Sequence, residues 1–188
     1  STVHMKGRED AEEIRRLLSL SGIRVISMPG GGSNWEDIMD APSASLNIVV
    51  RDELGLSLAK QMERDFGTPY MSCGLPYGTD GTMAWLSEII EKLRAGELTR
   101  ASQEASKLKE FLLRKGNNLE SLWGPLWFDA VLISAPPSEA LGIAETIRSE
   151  WIDTARLVIH AQCETKKSTP AADAIRVVMK NEKEIAKD

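Results

Sequence analysis

The fold is decided by residues 44–79, which read ASLNIVVRDELGLSLAKQMERDFGTPYMSCGLPYGT. The apolar run LNIVV at residues 46–50 predicts a buried strand, because short runs of this kind are typical of parallel sheets. Apolar residues then recur at helical spacing over residues 54–66, and a glycine follows as a natural helix end. A second short strand is predicted at residues 70–73. Strand, helix and strand in this order predict a parallel β-α-β unit.

The same alternation extends toward the N-terminus and into the helix after the second strand. Residues 8–21 predict a helix, and IRVISM at residues 23–28 predicts a strand. Ser33 and Glu36 have the spacing of a capping box at the start of a short helix. We therefore predict an α/β fold with a Rossmann-like, doubly wound parallel sheet in three α/β/α layers.

The second half of the chain predicts a smaller lobe. A helix over about residues 101–115 leads to the apolar run AVLISA at residues 130–135, and a further strand is predicted at 156–161. Thr169, followed by proline, predicts the start of a last helix that runs toward residue 187. Two clear strands are too few for a complete doubly wound domain. The predicted domains are residues 1–97, a Rossmann-like domain, and residues 98–188, a linker helix with a second, partial Rossmann-like lobe.

Composition excludes several functional classes. The 188 residues carry a formal net charge of -5, and no basic run predicts a nucleic-acid surface. No apolar stretch reaches the roughly 18 residues of a membrane span, and the N-terminus shows no apolar signal core, so we expect a cytoplasmic protein. The two cysteines, Cys73 and Cys163, cannot supply the four thiolates that an iron–sulfur cluster usually takes.

Candidate site residues follow the two strands of the β-α-β unit. Arg51 comes directly after the first strand, at the edge where open α/β sheets bind ligands. The alternative for this position is a solvated loop in which Asp52 caps the next helix. Cys73 begins the turn-rich CGLPYGTDGT after the second strand, where glycines would let the backbone approach a ligand closely. Cys73 itself is either a ligand or a small buried residue.

Three segments read together resemble one known family. They are ASLNIVV from residue 44, AKQMERDFGTPYM from residue 59 and LPYGTDGTMAWLSEI from residue 75. Together with EEIRRLLSLSGIRV upstream, they are similar to the nitrogenase component 1 family. This family includes the dinitrogenase subunits, their cofactor-assembly homologues, and the reductases of chlorophyll and nickel-tetrapyrrole synthesis. The resemblance covers about residues 3–93.

The resemblance implies a redox scaffold that acts within a larger complex. It implies a homologous partner subunit and an ATP-dependent iron–sulfur reductase that supplies electrons. Catalytic subunits of the α type have a cofactor-ligating cysteine directly after the first strand, whereas this chain has Arg51. The leading hypothesis is therefore a fragment of a nitrogenase-like oxidoreductase component, inactive alone, that shapes a site for a metal cluster or tetrapyrrole. The residues expected to line that cleft are Arg51, Cys73, Gly74, Gly78 and Thr79, with no metal ligand assigned.

Two alternatives belong to other functional classes. The doubly wound fold would also suit a module that binds small molecules without redox chemistry. A third interpretation makes the chain chiefly an interaction surface for a partner subunit. Trp123 and Trp127 pack the surface between the two predicted lobes or, in the alternative, form an exposed aromatic patch for that partner.

Overall fold

Helices and strands alternate in the computed structural model, which describes residues 7–123, 131–151, 156–162 and 174–180. The elements in chain order are α1 (Gly7–Leu20), α2 (Trp35–Asp40), β1 (Asn47–Val49), α3 (Asp52–Phe66), β2 (Tyr70–Ser72), α4 (Thr79–Leu93), α5 (Thr99–Trp123), β3 (Val131–Ala135), α6 (Pro137–Thr146), β4 (Arg156–Gln162) and β5 (Ala174–Lys180). A 3-10 turn at Ala41–Ser43 follows α2, and a π-helical turn at Ile147–Trp151 follows α6.

The strands β1 and β2 form a parallel pair joined through α3, as the sequence predicts. Residue 47 lies opposite residue 70, and residue 49 lies opposite residue 72. The helix α3 lies close to β1 at Gly55, where an added Cβ would come within 3.2 Å of Val49 Cγ1. It ends at Gly67, whose φ of +75° is the left-handed conformation that glycine adopts without strain.

Residues Ser1–Cys73 and Met83–Lys107 form one of two compact units, called unit 1 below. The side chains of Leu86 and Ile89 on α4 are fully buried at its centre. At the surface, Arg16 on α1 forms ion pairs with Glu13 and Glu104, each with a closest N···O distance of 2.7 Å. Burial of apolar side chains is the main stabilising contribution to such a unit. Its buried core consists of Leu18, Met71, Trp85, Leu86, Ile89 and Ala101.

Residues Gly74–Thr82 and Leu108–Asp188 form the second unit, unit 2. Its sheet has the strand order β3-β4-β5, with β3 and β4 parallel and β4 and β5 antiparallel. The helix α6 follows β3 in the chain and packs against β3 and β4. Its small buried residues Ala140 and Ala144 allow this close approach. The buried core of unit 2 consists of Ile133, Ala140, Ala144 and Ile159.

The predicted strand at residues 23–28 is wrong, because this segment forms no regular element and does not pair into a sheet. Ile23 and Val25 nevertheless pack against the core of unit 1, so the apolar pattern is explained by burial. The carbonyl oxygen of Val25 accepts a hydrogen bond from the guanidinium of Arg15 at 3.5 Å. An apolar run therefore indicates that its side chains are buried, but a β-strand also needs a neighbouring strand with which its backbone can form hydrogen bonds.

The predicted helix cap at Ser33 is also wrong. The Ser33 hydroxyl accepts a hydrogen bond from the N–H of Met28 at 2.6 Å, which closes the preceding turn. The cap of α2 is Asn34, one residue later, whose side chain accepts from the N–H of Asp37 at 2.8 Å. The Asp37 carboxylate in turn accepts from the N–H of Asn34, so the capping box exists with its register shifted by one residue.

The last predicted helix is contradicted over residues 174–180, which form β5. This segment reads AIRVVMK and contains three β-branched residues, which favour strands. It pairs with β4 over seven residues, from Arg156 opposite Lys180 to Gln162 opposite Ala174. The predicted start of the helix at Thr169 lies outside the described residues. The predicted domain boundary between residues 97 and 98 stays a prediction.

Candidate functional site

The parallel pairing of β1 and β2 brings two predicted site residues to one edge of unit 1. Arg51 follows β1 as the N-cap residue of α3, and Cys73 follows β2. The N–H of Cys73 donates to the carbonyl oxygen of Val49 at 3.2 Å, which extends the pairing past β2. Asp52 is the first residue of α3, not its cap, and accepts a hydrogen bond from the Ser72 hydroxyl. Arg51, Asp52, Ser72 and Cys73 therefore belong to the carboxyl edge of this sheet.

The Cys73 thiol is neutral at pH 7. Loss of solvation on burial raises its pKa to about 12, and the negative charges of Glu88 and Asp52 act in the same direction. A hydrogen bond with the Trp85 side chain opposes this shift without cancelling it. Since the thiolate is the form that binds metals and attacks electrophiles, Cys73 is a poor nucleophile in this environment.

The other three predicted site residues, Gly74, Gly78 and Thr79, lie in unit 2. At the start of α4, in this unit, lies a carboxylate that sequence analysis did not predict as part of the site. It belongs to Glu150 in the π-helical turn. Glu150 Oε2 accepts from the N–H and the hydroxyl of Thr79, both at 2.7 Å. Its Oε1 accepts from the N–H of Asp80 at 2.7 Å and from the N–H of Gly81 at 3.4 Å. The N-terminus of α4 is thus occupied by an anion from the same unit.

Two glycines make room for side chains of unit 2 in this region. Gly78 has a φ of +68°, and a Cβ there would lie 2.6 Å from Thr146 Cγ2 and would also overlap the Glu150 carboxylate. Gly142 on α6 faces the ring of Tyr77, since a Cβ there would lie 2.6 Å from Tyr77 Cδ2. Both separations are shorter than van der Waals contact, so alanine at either position requires its neighbour to move.

Gly74 has a different environment from Gly78, although their φ angles are equal at +68°. A Cβ at Gly74 would meet no heavy atom of the described residues within 4 Å. Gly74 thus provides space at the start of the turn, whereas the space at Gly78 is already filled by side chains of unit 2.

Hydrogen bonding holds Glu150 in its charged form. Partial burial raises its pKa, but the hydroxyl of Thr79 and the N–H groups of Thr79, Asp80 and Gly81 outweigh this effect and lower the pKa below 4.5. The nearby Asp80 carboxylate forms an ion pair with the Lys109 ammonium. At neutral pH the ionised carboxylate of Glu150 therefore lies against the first turn of α4, where the helix dipole favours a negative charge.

The donor set of the described residues does not fit a metal cluster. Among residues 7–123, 131–151, 156–162 and 174–180, no group of three or more histidine, cysteine, aspartate or glutamate side chains could hold a metal ion. A cluster or metal cofactor would need ligands beyond these residues. None of the helices in this described part is both long and apolar enough to cross a membrane.

Comparison with known proteins agrees with the sequence segments that suggested a family. The sequence model described as "Nitrogenase component 1 type Oxidoreductase" matches residues 3–117, more than half of the chain. A light-independent protochlorophyllide reductase subunit of Chloroherpeton thalassium is 29% identical over 121 residues, 64% of this chain and 22% of that protein. The nitrogenase iron-molybdenum cofactor biosynthesis protein NifE of Clostridium pasteurianum is 32% identical over 108 residues, 57% of this chain and 22% of that protein.

The fold has a solved counterpart in the structure of nitrogenase Cp1 at pH 5. The TM-score is 0.64 at 21% identity, over 88% of this chain and 33% of the nitrogenase chain. The prediction of an α/β, Rossmann-like fold is confirmed. The chain spans about a fifth of the length of the two relatives from Chloroherpeton and Clostridium. With more than half of its residues matched by the family model, the chain belongs to the nitrogenase component 1 type oxidoreductase family.

Proposed function

We propose that this chain forms one wall of a cofactor site in a nitrogenase-like oxidoreductase component. The cofactor would be a metal cluster or a tetrapyrrole. The site would serve either ATP-dependent reduction at low potential or cofactor assembly. The observation that carries the proposal is the parallel pairing of β1 and β2, which brings Arg51 and Cys73 to one sheet edge in a chain of this family. Open α/β sheets bind their ligands at this edge.

Arg51 is the residue to which we assign contact with the ligand. A guanidinium offers a planar set of donors that suits carboxylates, such as those of a tetrapyrrole or of an acidic cofactor component. Its place two residues after the end of β1, as the N-cap of α3, puts this cation at the carboxyl edge of the sheet.

We assign Cys73 a role in lining the site, not in ligating metal. Burial keeps its thiol protonated, and a protonated thiol is a weak ligand. Gly74 is the position at which the backbone can approach a ligand, because the space beside it is open. Gly78 and Thr79, which were also expected in the lining, follow Gly74 in the same segment, and their own contacts are with Glu150.

The cofactor and the electron supply belong to the full-length complex in this proposal. The described residues lack the donors for a cluster, so the cluster ligands would come from elsewhere in the full-length chain or from a partner. We propose a homologous partner subunit, an ATP-dependent iron–sulfur reductase as electron donor, and a cytoplasmic location. The names of the relatives, a reductase subunit and a cofactor biosynthesis protein, support both branches of the proposed chemistry.

The experiment is a binding titration of the full-length protein, purified without oxygen together with its partner. Iron content and the visible absorption spectrum report bound cluster or tetrapyrrole. We expect bound cofactor in the unaltered protein and roughly a tenfold weaker affinity in Arg51→Ala, the loss expected for one charge-assisted contact. Arg64→Ala, near the opposite end of α3, is the matched control and should bind normally.

Two outcomes would overturn the proposal. One is a preparation with neither iron nor chromophore that also fails to take up either on titration. The other is unchanged affinity in Arg51→Ala. A thermal-shift screen with nucleotides and sugars tests the alternative: stabilisation by a common metabolite without metal would favour a module that binds small molecules.

A further inference from the structure

Glu150 accounts for the hydrogen-bond donors at the start of α4. The first N–H groups of a helix have no partner within the helix, and a buried or half-buried start needs one for each. The N–H groups of residues 79–81 donate to the Glu150 carboxylate. The N–H of Thr82 donates to the carbonyl oxygen of Gly78 at 3.3 Å. All four N–H groups of this helix start are therefore satisfied within the chain.

The contact is built from positions that are distant in sequence. Thr79 and Glu150 are separated by 71 residues. The π-helical turn widens the helix at Ile147–Trp151, the segment that carries Glu150. On the other side, Gly78 must lack a side chain, because a Cβ there would overlap the carboxylate. A second contact within unit 2, the Tyr77 ring against Gly142, fixes the same segment one residue earlier.

We propose that Glu150 is a positioning residue, an internal anion that latches the Gly74–Thr82 segment onto the π-helical turn of unit 2. The latch sets the backbone of the segment that carries Gly74, Gly78 and Thr79. This inference rests on the proposed function only in that the segment is taken as part of the cofactor site. In this arrangement Thr79 acts by holding Glu150, and the donors at the start of α4 are already used when a ligand arrives.

Hydrogen exchange measured by NMR tests the latch on the chain without any ligand. In Glu150→Ala, we expect the amides of Thr79, Asp80 and Gly81 to exchange roughly tenfold faster, the scale of an anion's contribution at a helix N-terminus. The amides of Ile133 and Ala140 in the core of unit 2 should keep their exchange rates, which shows that the unit carrying Glu150 is still folded. The matched control is Glu145→Gln, which removes an exposed carboxylate from α6 and should change nothing.

A double-mutant cycle separates the latch from a general loss of stability. Gly78→Ala alone should speed exchange of the same three amides, because its Cβ displaces the Glu150 carboxylate. In a Glu150→Ala background the same change should have a smaller effect, since that overlap is gone. Strictly additive effects, or unchanged exchange in Glu150→Ala, would overturn the proposal. No cofactor enters this measurement, so its failure leaves the proposed function standing, and failure of the cofactor titration leaves the latch standing.

Discussion

The strongest quantitative expectation concerns the chemical reactivity of Cys73. Burial raises the pKa of its thiol from an ordinary value of 9.0 to about 12. At about pH 8 this change lowers the thiolate fraction by roughly a thousandfold, because each pKa unit is a factor of ten well below the pKa. Alkylation proceeds through the thiolate. The folded chain should therefore react at Cys73 roughly a thousandfold more slowly than the same thiol in the unfolded chain.

The assay uses a Cys163→Ser variant, so that Cys73 is the only thiol. Iodoacetamide labelling is followed by mass spectrometry with and without urea. The rate in urea should level off above about pH 9, whereas the folded rate should keep rising tenfold per pH unit beyond it. This difference in slope separates a raised pKa from simple steric shielding, which would slow the reaction equally at every pH.

Two substitutions near the thiol sharpen the expectation. Trp85→Phe removes the hydrogen bond that lowers the pKa of Cys73, so labelling should slow further. Glu88→Gln removes a negative charge that raises this pKa, so labelling should become faster. A folded rate within tenfold of the rate in urea at about pH 8 would refute the reasoning, because it would mean that the thiol is ordinary.

Three further predictions concern stability. Gly67→Ala should cost about 1–2 kcal/mol in urea unfolding, because its φ is +75° but a Cβ there would meet no described atom within 4 Å. Gly96→Ala should cost about 2–4 kcal/mol, because its φ is +103° and its Cβ would also lie 2.8 Å from a backbone oxygen. Leu86→Ala should cost about 2–5 kcal/mol in the same assay, because this fully buried side chain leaves a cavity; a loss under about 1 kcal/mol would contradict the assigned core. Because the pKa of Glu150 is lowered in the folded state, its stabilising contribution is present above pH 4.5 and is lost as the pH falls through the folded pKa. The difference in unfolding free energy between the unaltered chain and Glu150→Gln, measured by chemical unfolding, should therefore shrink toward zero on acidification. A difference that stays constant with pH would contradict the assignment.

The parts of the fold that the sequence predicts well are those set by neighbouring residues. The unit β1-α3-β2 follows from an apolar run, a helical stripe and a glycine stop within residues 46–73, and the structure confirms it. The segment at 23–28 was mispredicted because burial alone produced its apolar pattern. The strand at 174–180 was mispredicted because pairing with β4 outweighed the helix-start signal that precedes it.

In the candidate site, too, sequence reasoning succeeds for features set by neighbouring residues and fails for those set by distant ones. The positions of Arg51 and Cys73 follow from strand ends, so sequence reasoning could place them at one sheet edge. The protonation state of Cys73 could not be predicted, because it depends on desolvation and on Glu88, a residue of α4. Glu150 was missed for a related reason. No local signal distinguishes it from other glutamates late in a helix, and its contact spans 71 residues.

Glycines after a strand are commonly taken as space for a ligand, and in this chain that inference holds for one position and fails for another. Gly74 and Gly78 have the same φ of +68°. The volume of a side chain at Gly78 is filled by Glu150 and Thr146 of the same unit, whereas the volume at Gly74 is open. A glycine can therefore be required by the chain's own packing, and only the atoms around its missing Cβ distinguish the two cases. By this criterion, Gly74 is the position in the proposed wall that a ligand can approach, whereas Gly78 and Thr79 hold the Glu150 carboxylate.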